Sequence, residues 1–343
     1  MGEKCRHAKA TIEAFLPLNM PADLSPTEIR AFRRKLLPWY DAHHRALPWR
    51  ENTDPYRVWV SEIMLQQTRV AAVLEHYAKF MKRFPSVIAL AGAREQSVLA
   101  IWSGLGYYHR ARRMHQAARV VVRERNGQFP SRFEDWLQLP GIGRYTAAAV
   151  ASIAFGEPVA VVDGNVERVL ARLEGAVVKN GTAWERAQAL LDRKRPGDFN
   201  QAMMELGATV CTPKTPQCSL CPVSGLCRTR GELAGARPEA RKHKQLNYAL
   251  VERTGAVLLV QRPRDARLMA GMWELPQLDQ APANEPIARL RHSITDTDYQ
   301  VAVFGMQRLS LPSFGWFSPE QWKRAALTGL ARKILKQLYP DRA

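Results

Sequence analysis

The chain has 343 residues, of which 46% are apolar, and this length and composition suffice for two domains with separate hydrophobic cores. Lys and Arg number 50 against 32 acidic residues, and the net charge of +18 indicates a polyanionic partner. No apolar run approaches the roughly 20 residues that a membrane span requires, and the opening MGEKCRHAKA has no apolar signal-peptide core. The composition therefore excludes a membrane-spanning protein and predicts a soluble, cytoplasmic one.

Most of the chain is predicted to be helical. Apolar residues recur every three or four positions in residues 58–84 and again in residues 97–130, and short loops of Pro, Gly and Ser separate such segments. The pattern predicts a helical domain over residues 25–228, preceded by an N-terminal extension over residues 1–24.

A glycine-rich turn, LPGIG at residues 139–143, lies between two of these predicted helices. Gly141 and Gly143 leave backbone N–H groups uncovered at the start of a helix near Arg144, and such a helix start binds anions such as phosphate. The pattern is typical of the hairpin of a helix-hairpin-helix DNA-binding motif. An ordinary turn between helices is the alternative.

Four of the five cysteines lie close together, spaced C-x6-C-x2-C-x5-C at Cys211, Cys218, Cys221 and Cys227. In an intracellular chain such a group indicates a metal site rather than disulfides. All four thiols come from one compact loop, which favours a [4Fe-4S] cluster over zinc, although zinc remains the alternative.

The composition and the predicted secondary structure change towards the end of the chain. Residues 229–245 are polar and basic and are predicted to be a linker. Two strands are expected around Thr254 and Gly255, followed by a final helix over residues 318–338 that Ser318 caps. Residues 246–343 are therefore predicted to form a smaller α+β domain.

Several motifs in this order resemble a known family. LPGIGRYTAAAV at 139–150, VVDGNVERVLARL at 161–173 and the cysteine loop resemble the endonuclease III superfamily of base-excision DNA glycosylases. The segments at 47–70 and 104–115 are similar to adenine DNA glycosylases, which remove adenine mispaired with 8-oxoguanine. The resemblance implies a mainly α helix-hairpin-helix domain with an iron-sulfur cluster loop, and a C-terminal α+β Nudix-like domain.

The resemblance also implies a mechanism with two carboxyl groups, because the departing base needs a proton and the sugar becomes an oxocarbenium-like cation. Glu62 lies in a run of apolar residues, so burial would keep its carboxyl group protonated, and it would give that proton to adenine. Asp163 would stabilise or trap the cation, with Asn165 in support. Tyr145 stands where strand-nicking relatives have a Schiff-base lysine, which implies a monofunctional enzyme. From the residues alone, Glu62 could be an ordinary helix glutamate and Asp163 a helix N-cap.

A base must leave the duplex to reach these groups. The resemblance implies that Gln67 and Tyr107 intercalate. Arg110, Arg112 and Arg113 cluster on one turn of a basic chain, which favours phosphate contacts, beside those of the hairpin glycines and Arg144, over a solvated face. The resemblance also implies an adenine pocket formed by Arg45, Leu47, Trp49, Arg50 and Glu205.

The resemblance weakens in the C-terminal domain. Only two glutamates, Glu274 and Glu285, follow Gly271 before Arg291, too few for the magnesium helix of a phosphohydrolase, and a family helix between residues 276 and 287 looks missing. The family's recognition turn is replaced by residues 294–296, in which Thr295 keeps a hydroxyl for 8-oxoguanine.

The sequence thus favours a monomeric, nucleoid-associated glycosylase that acts on double-stranded DNA with adenine opposite 8-oxoguanine or guanine. Two alternatives stay open. One is a bifunctional glycosylase and AP lyase for oxidised pyrimidines, and the other is a non-catalytic iron-sulfur protein that binds DNA.

Overall fold

The structure is a computed structural model that describes residues 24–176, 178, 180–231, 241–266, 269–294, 297–309 and 311–340. Most of the predicted N-terminal extension, and Thr295 with its neighbour Asp296, lie outside the described residues. Within the described ranges, no helix has both the length and the apolar character needed to cross a membrane.

The first part of the chain is helical, as predicted. Ser25 begins it with a capping box, in which its hydroxyl accepts a hydrogen bond from the Glu28 amide and the Glu28 carboxylate accepts one from the Ser25 amide. The helices are α1 Pro26–His43, α2 Pro55–Leu65, α3 Val70–Arg83, α4 Val87–Ala91, α5 Glu95–Trp102, α6 His109–Arg125, α7 Phe133–Trp136, α8 Arg144–Phe155, α9 Gly164–Glu174, α10 Asn180–Leu190 and α11 Pro196–Thr209.

Two hydrophobic clusters stabilise these helices. The first is built from α2 to α8 and buries Trp59, Trp102 and Trp136 completely. The second joins α1 to α9, α10 and α11 around Phe32 and Phe199. Burying each large side chain contributes about 2–3 kcal/mol. The clusters meet where α8 contacts both α2 and α11, and this junction holds the site described below.

The glycine hairpin forms between α7 and α8. Gly141 has a φ of +77°, and a Cβ there would lie 2.4 Å from the Cβ of Arg113, so only glycine fits. Gly143 caps α8, and nothing lies within 4 Å of the place its Cβ would take. The start of α8 is therefore open to an anion, while the stem of Arg113 packs against the turn.

The C-terminal domain is α+β, as predicted. The elements are β1 Lys242–Arg253, β2 Ala256–Gln261, β3 Trp273–Glu274, β4 Gln277–Leu278, β5 Ala288–Ile294, β6 Thr297–Met306, β7 Gly315–Phe317, α12 Pro319–Arg324 and α13 Gly329–Leu338. The strands form one sheet in the order β3-β2-β1-β6-β5, with β4 pairing with β1 and β7 with β2. β1 and β2 form the predicted hairpin at Thr254 and Gly255, and β1 runs parallel to β6. One face of the sheet packs against α13 and the buried Trp322.

Two boundaries in this domain were predicted wrongly. Residues 242–245, assigned to the linker, are the first residues of β1, because their pairing with β6 begins at Lys242 and Thr297. The single helix predicted over residues 318–338 is two helices. Ser318 caps the first helix and Thr328 caps the second. Between the two helices, the Trp273 amide donates to the Ala326 carbonyl oxygen, and the Trp273 carbonyl oxygen accepts from the Thr328 amide.

The two domains share a packed contact. Met272 and Ala326 from the C-terminal domain are buried in the first helical cluster. The carbonyl oxygen of Leu327 accepts hydrogen bonds from the Ser103 hydroxyl at 2.9 Å and the Tyr108 hydroxyl at 3.1 Å. These contacts attach the C-terminal domain to the loop between α5 and α6.

Arg112 also belongs to this contact rather than to a phosphate-binding face. Its guanidinium donates to the carbonyl oxygen of Ala270 and lies 3.0 Å from the Glu95 carboxylate. The prediction that Arg112 contacts DNA is therefore corrected, because its Nε and one terminal nitrogen are hydrogen-bonded within the protein.

Candidate active site

A cavity of about 780 Å³ lies where the two helical clusters meet. Its walls come from α2 and α8 on one side and from α9 and α11 on the other, so the packing of the domain creates it. Ten residues that the sequence singled out line this cavity: Arg45, Leu47, Trp49, Arg50, Glu62, Gln67, Tyr145, Asp163, Asn165 and Glu205.

Glu62 lies on α2 inside the cavity and is only 6% exposed. The Tyr145 hydroxyl, from α8, donates a hydrogen bond to the Glu62 carboxylate at 2.7 Å. Burial, helped by the negative charge of Asp163, raises the pKa of Glu62 to about 7 against the opposing effects of the Tyr145 hydrogen bond and the Arg50 charge. Glu62 can therefore hold a proton near neutral pH, as a general acid must.

Asp163 lies at the N-terminus of α9 and caps it. One carboxylate oxygen accepts the amides of Asn165 at 2.9 Å and Val166 at 2.8 Å, and the other accepts the Asn165 side-chain amide at 2.9 Å. These bonds hold the carboxylate in one orientation at the positive end of the helix dipole. The N-cap that the residues alone suggested is thus present, and it fixes the carboxylate at the cavity wall.

Arg168 connects this carboxylate to the cysteine loop. Its guanidinium donates to the side-chain oxygen of Asn165 at 2.8 Å and to the carbonyl oxygens of Gly207 at 2.7 Å and Cys211 at 2.8 Å. A Cβ on Gly207 would lie 2.6 Å from the Asn165 Cβ, so this glycine lets α11 approach α9. Sequence reasoning missed both residues, and the only available signal was a glycine inside a helix.

A charged wall closes another side of the cavity. Glu205 is 1% exposed and accepts hydrogen bonds from Arg45 at 2.7 Å and from Arg50 at 3.0 Å. Burial alone raises the pKa of Glu205, but the hydrogen bonds and charges of Arg45 and Arg50 outweigh it and lower the pKa to about 2. Both arginines are therefore held in place by a permanently ionised partner.

Replacing Glu205 with glutamine is expected to lower the free energy of unfolding by about 2 kcal/mol, because one partner of a buried ion pair is removed while Arg45 retains some solvent contact. Urea unfolding at pH 7 measures the change. Glu185→Gln, an exposed glutamate on α10, is the matched control and should leave stability unchanged. In the wild type this contribution is present above the ordinary pKa of 4.5 and is lost as the pH falls towards 2. Equal stability of both variants would contradict the assigned pairing.

Other cavity residues were not anticipated. The side-chain amide of Gln66 donates to the Thr146 hydroxyl at 3.0 Å, and the sulfur of Met204 lies 3.3 Å from the Tyr145 hydroxyl. Gln66 and Met204 line the same cavity as Glu62 and Asp163. Their types carry no chemical signal of their own, since a glutamine and a methionine on helical segments are common packing residues.

Residues predicted to contact DNA divide into two groups. Gln67 is exposed, Tyr107 is half-buried, and both have left-handed backbone, with φ of 55° and 48°. Arg144 is exposed, with its guanidinium 4.1 Å from the Trp184 ring centre. Arg110, in contrast, is 5% exposed and bonds to backbone carbonyls, so the prediction that it contacts phosphate is corrected.

The four cysteines line one small recess together with Arg172. Arg172 lies 3.4 Å from the Cys211 sulfur and donates to the carbonyl oxygens of Thr212 and Pro213. Burial raises the pKa of the Cys221 thiol to about 11, so its thiolate requires a nearby cation. Four thiols around one volume, with a buried arginine beside them, fit the donor set of an iron-sulfur cluster.

Comparison with known proteins agrees with this geometry. Residues 60–193 match the HhH-GPD superfamily of base excision DNA repair proteins, and residues 211–227 match the iron-sulfur binding domain of endonuclease III. A thermostable thymine-DNA glycosylase superposes with a TM-score of 0.56 at 30% identity, covering 60% of this chain and 97% of that one. Endonuclease III bound to DNA has the same fold, with a TM-score of 0.53 at 23% identity, covering 60% of this chain and 97% of that one.

The fold and site thus define a helix-hairpin-helix base-excision repair protein with an iron-sulfur loop, which confirms the predicted cofactor. The adenine DNA glycosylase of Mus musculus is 37% identical over 95% of this chain and 80% of its own length. The Homo sapiens enzyme is 36% identical over 90% and 74%. The chain belongs to the adenine DNA glycosylases.

Proposed function

We propose that this chain is a monofunctional glycosylase that excises adenine from double-stranded DNA where adenine is opposite 8-oxoguanine or guanine. One observation carries the proposal. Glu62, Tyr145 and Asp163 come from three separate helical elements and line one cavity, with a raised pKa at Glu62 and a fully hydrogen-bonded carboxylate at Asp163. Two carboxyl groups held in such different environments suit the acid and the cation-stabilising roles of glycosidic cleavage.

The chemistry follows from these environments. Glu62 transfers its proton to N7 of the extruded adenine, and the C–N bond breaks as the base leaves with that bonding pair. The sugar then carries positive charge beside the Asp163 carboxylate, which stabilises or traps it until water attacks the anomeric carbon. The attacking water gives up a proton to Glu62, which restores the acid. Asn165 keeps Asp163 oriented.

Tyr145 supports a monofunctional outcome. Its buried hydroxyl donates to Glu62, and burial raises the pKa of Tyr145 well above its ordinary value, so it remains a donor. Among the described residues that line the cavity none is a lysine, so no amine is placed to form a Schiff base with the sugar. This arrangement disfavours the bifunctional alternative.

DNA binding is assigned to the open side of the helical domain. Gly143 at the start of α8 and the exposed Arg144 would hold a phosphate, while Gln67 and Tyr107 would enter the duplex as adenine leaves it. The cysteine loop, with an iron-sulfur cluster bound by Cys211, Cys218, Cys221 and Cys227, would stabilise the neighbouring end of α11. We propose that the enzyme acts as a monomer.

A product assay tests the proposed function. A duplex with adenine opposite 8-oxoguanine should lose adenine and show strand breaks only after alkali. Breaks without alkali, together with an adduct trapped by borohydride, would support a lyase instead. Tight DNA binding with no adenine release would support the non-catalytic alternative.

We expect the single-turnover rate of adenine release to fall as the pH rises, as it does when a general acid loses its proton. Because Glu62 acts while protonated and its pKa is raised to about 7, the rate should be constant at low pH and fall about tenfold per pH unit above pH 7. Rapid-quench assays at saturating enzyme measure it, with DNA binding recorded at each pH as the control. A rate that rises through pH 7 would mean that Glu62 acts as a base.

A further inference from the structure

Arg110 is a buried cation whose contacts the catalytic chemistry does not use. Its guanidinium is 5% exposed and lies 5.5 Å from the Tyr107 ring centre. It donates hydrogen bonds to the last turn of α2, to the loop after α2 and to the loop before α6. Its partners are the carbonyl oxygens of Ile63, Met64, Gln66, Leu105 and Gly106 and the hydroxyl of Thr68.

Each loop carries a residue with unfavourable backbone geometry. Gln67 has a φ of 55° and Tyr107 a φ of 48°, and both lie in the left-handed region that disfavours side chains with a Cβ. Such conformations persist only where neighbouring contacts impose them. Gln67 and Tyr107 are also the two residues assigned to enter the duplex.

Arg110 acts on the peptide units that set these two angles. It bonds to the carbonyl of Gln66 at 2.5 Å and to the carbonyl of Gly106 at 3.3 Å, and these are the residues immediately before Gln67 and Tyr107. The φ angle is the rotation about the N–Cα bond, and the carbonyl of the preceding residue lies in the peptide plane on one side of that bond. Holding this carbonyl in place therefore restricts φ. One planar guanidinium, with separate nitrogens on the Gln66 and Gly106 carbonyls, therefore restrains both angles at once, whereas a lysine ammonium carries its donors on a single nitrogen and lacks this fixed spacing.

We infer that Arg110 is a positioning residue that holds Gln67 and Tyr107 in their left-handed conformations, so that both side chains are arranged for entry into the duplex before DNA binds. This inference rests on the proposed function. It makes Arg110 a determinant of the rate of adenine extrusion and neither a phosphate contact nor a participant in bond cleavage.

The test is Arg110→Lys, which keeps the charge and removes the planar fork. Extrusion is followed by the fluorescence of 2-aminopurine placed opposite 8-oxoguanine, and the rate should fall about tenfold, as expected when a left-handed conformation loses its support. The slope of binding affinity against salt should not change, because no phosphate contact is lost. An unchanged extrusion rate, or a shallower salt slope, would overturn the inference.

Substrate rescue separates positioning from general damage. Adenine opposite an abasic site needs less extrusion, so the excision rate of Arg110→Lys should recover on that duplex. Val121→Ala, a buried substitution on the same helix, is the control for lost stability and should show no such difference between substrates. Equal losses for Arg110→Lys on both duplexes would contradict the inference.

Thr68→Val offers a second variant that removes one acceptor and keeps the shape of the side chain. We expect extrusion to slow roughly threefold, with the same rescue opposite an abasic site, as for one lost hydrogen bond. The wild-type protein distinguishes the two levels of failure. If it releases no adenine, the proposed function fails, whereas normal extrusion by both variants beside an active wild type overturns only the role of Arg110.

Discussion

Glu62→Gln is expected to lower the single-turnover rate of adenine release by about 10²- to 10⁴-fold, the range for removing a general acid. Glutamine has nearly the same shape and can still accept the Tyr145 hydrogen bond, so the cavity should keep its form. It has no proton of suitable acidity to give to adenine. Binding to the same duplex should therefore be unchanged, and a gel-shift titration beside rapid-quench kinetics measures both quantities.

The control for this variant is Glu134→Gln, which removes an exposed carboxylate on α7 that does not line the cavity. It should behave as wild type in both assays. If Glu62→Gln released adenine within a few-fold of the wild-type rate, the proton would have to come from another group.

Asp163→Asn is expected to reduce the same rate by about 10²- to 10³-fold, the usual loss when an electrostatic partner of the transition state is removed. Asparagine is nearly as good an N-cap as aspartate. Helix α9 should therefore remain capped through the amides of Asn165 and Val166, while the negative charge beside the sugar is lost. The rate of adenine release and the midpoint of thermal unfolding are measured on the same preparation.

Asp163→Ser, another good cap without a charge, separates the two roles of this residue. If capping were the whole role of Asp163, both variants would retain activity along with stability. A large loss of rate with little change in unfolding temperature is the expected result for both.

The two carboxyl groups show how one fold creates two roles. Glu62 has a single hydrogen-bond donor in a buried apolar setting, so its charged form is disfavoured. Asp163 accepts three hydrogen bonds at a helix N-terminus, and these fix its carboxylate in position. The difference comes from burial and from hydrogen bonds and not from residue type.

Much of the site could be predicted because its signals are local. Gly141 marks a turn with a positive φ that favours glycine, and Gly143 leaves the start of the following helix uncovered. Glu62 sits in an apolar phrase and Asp163 precedes a helix, so burial at one and capping at the other follow from neighbours in the chain. Their meeting in one cavity rested on the resemblance to the family.

The wrong predictions concern residues whose environment is set by contacts far away in the sequence. Arg110 and Arg112 look like neighbours on a basic helix, yet Arg110 is buried among carbonyls from the end of α2 and two loops, while Arg112 contacts the C-terminal domain. The break between α12 and α13 depends on hydrogen bonds to Trp273, about fifty residues earlier in the chain. No local pattern separates such arginines from solvent-exposed ones, because the acceptors are assembled only on folding.

The proposed mechanism requires a protonated Glu62 at neutral pH, and infrared difference spectroscopy can observe that proton directly. The difference between wild type and Glu62→Gln should contain a carboxylic acid C=O band that disappears as the pH rises, with a midpoint near 7. A carboxylate band that persists down to pH 5 would contradict the account, because an ionised Glu62 has no proton to donate.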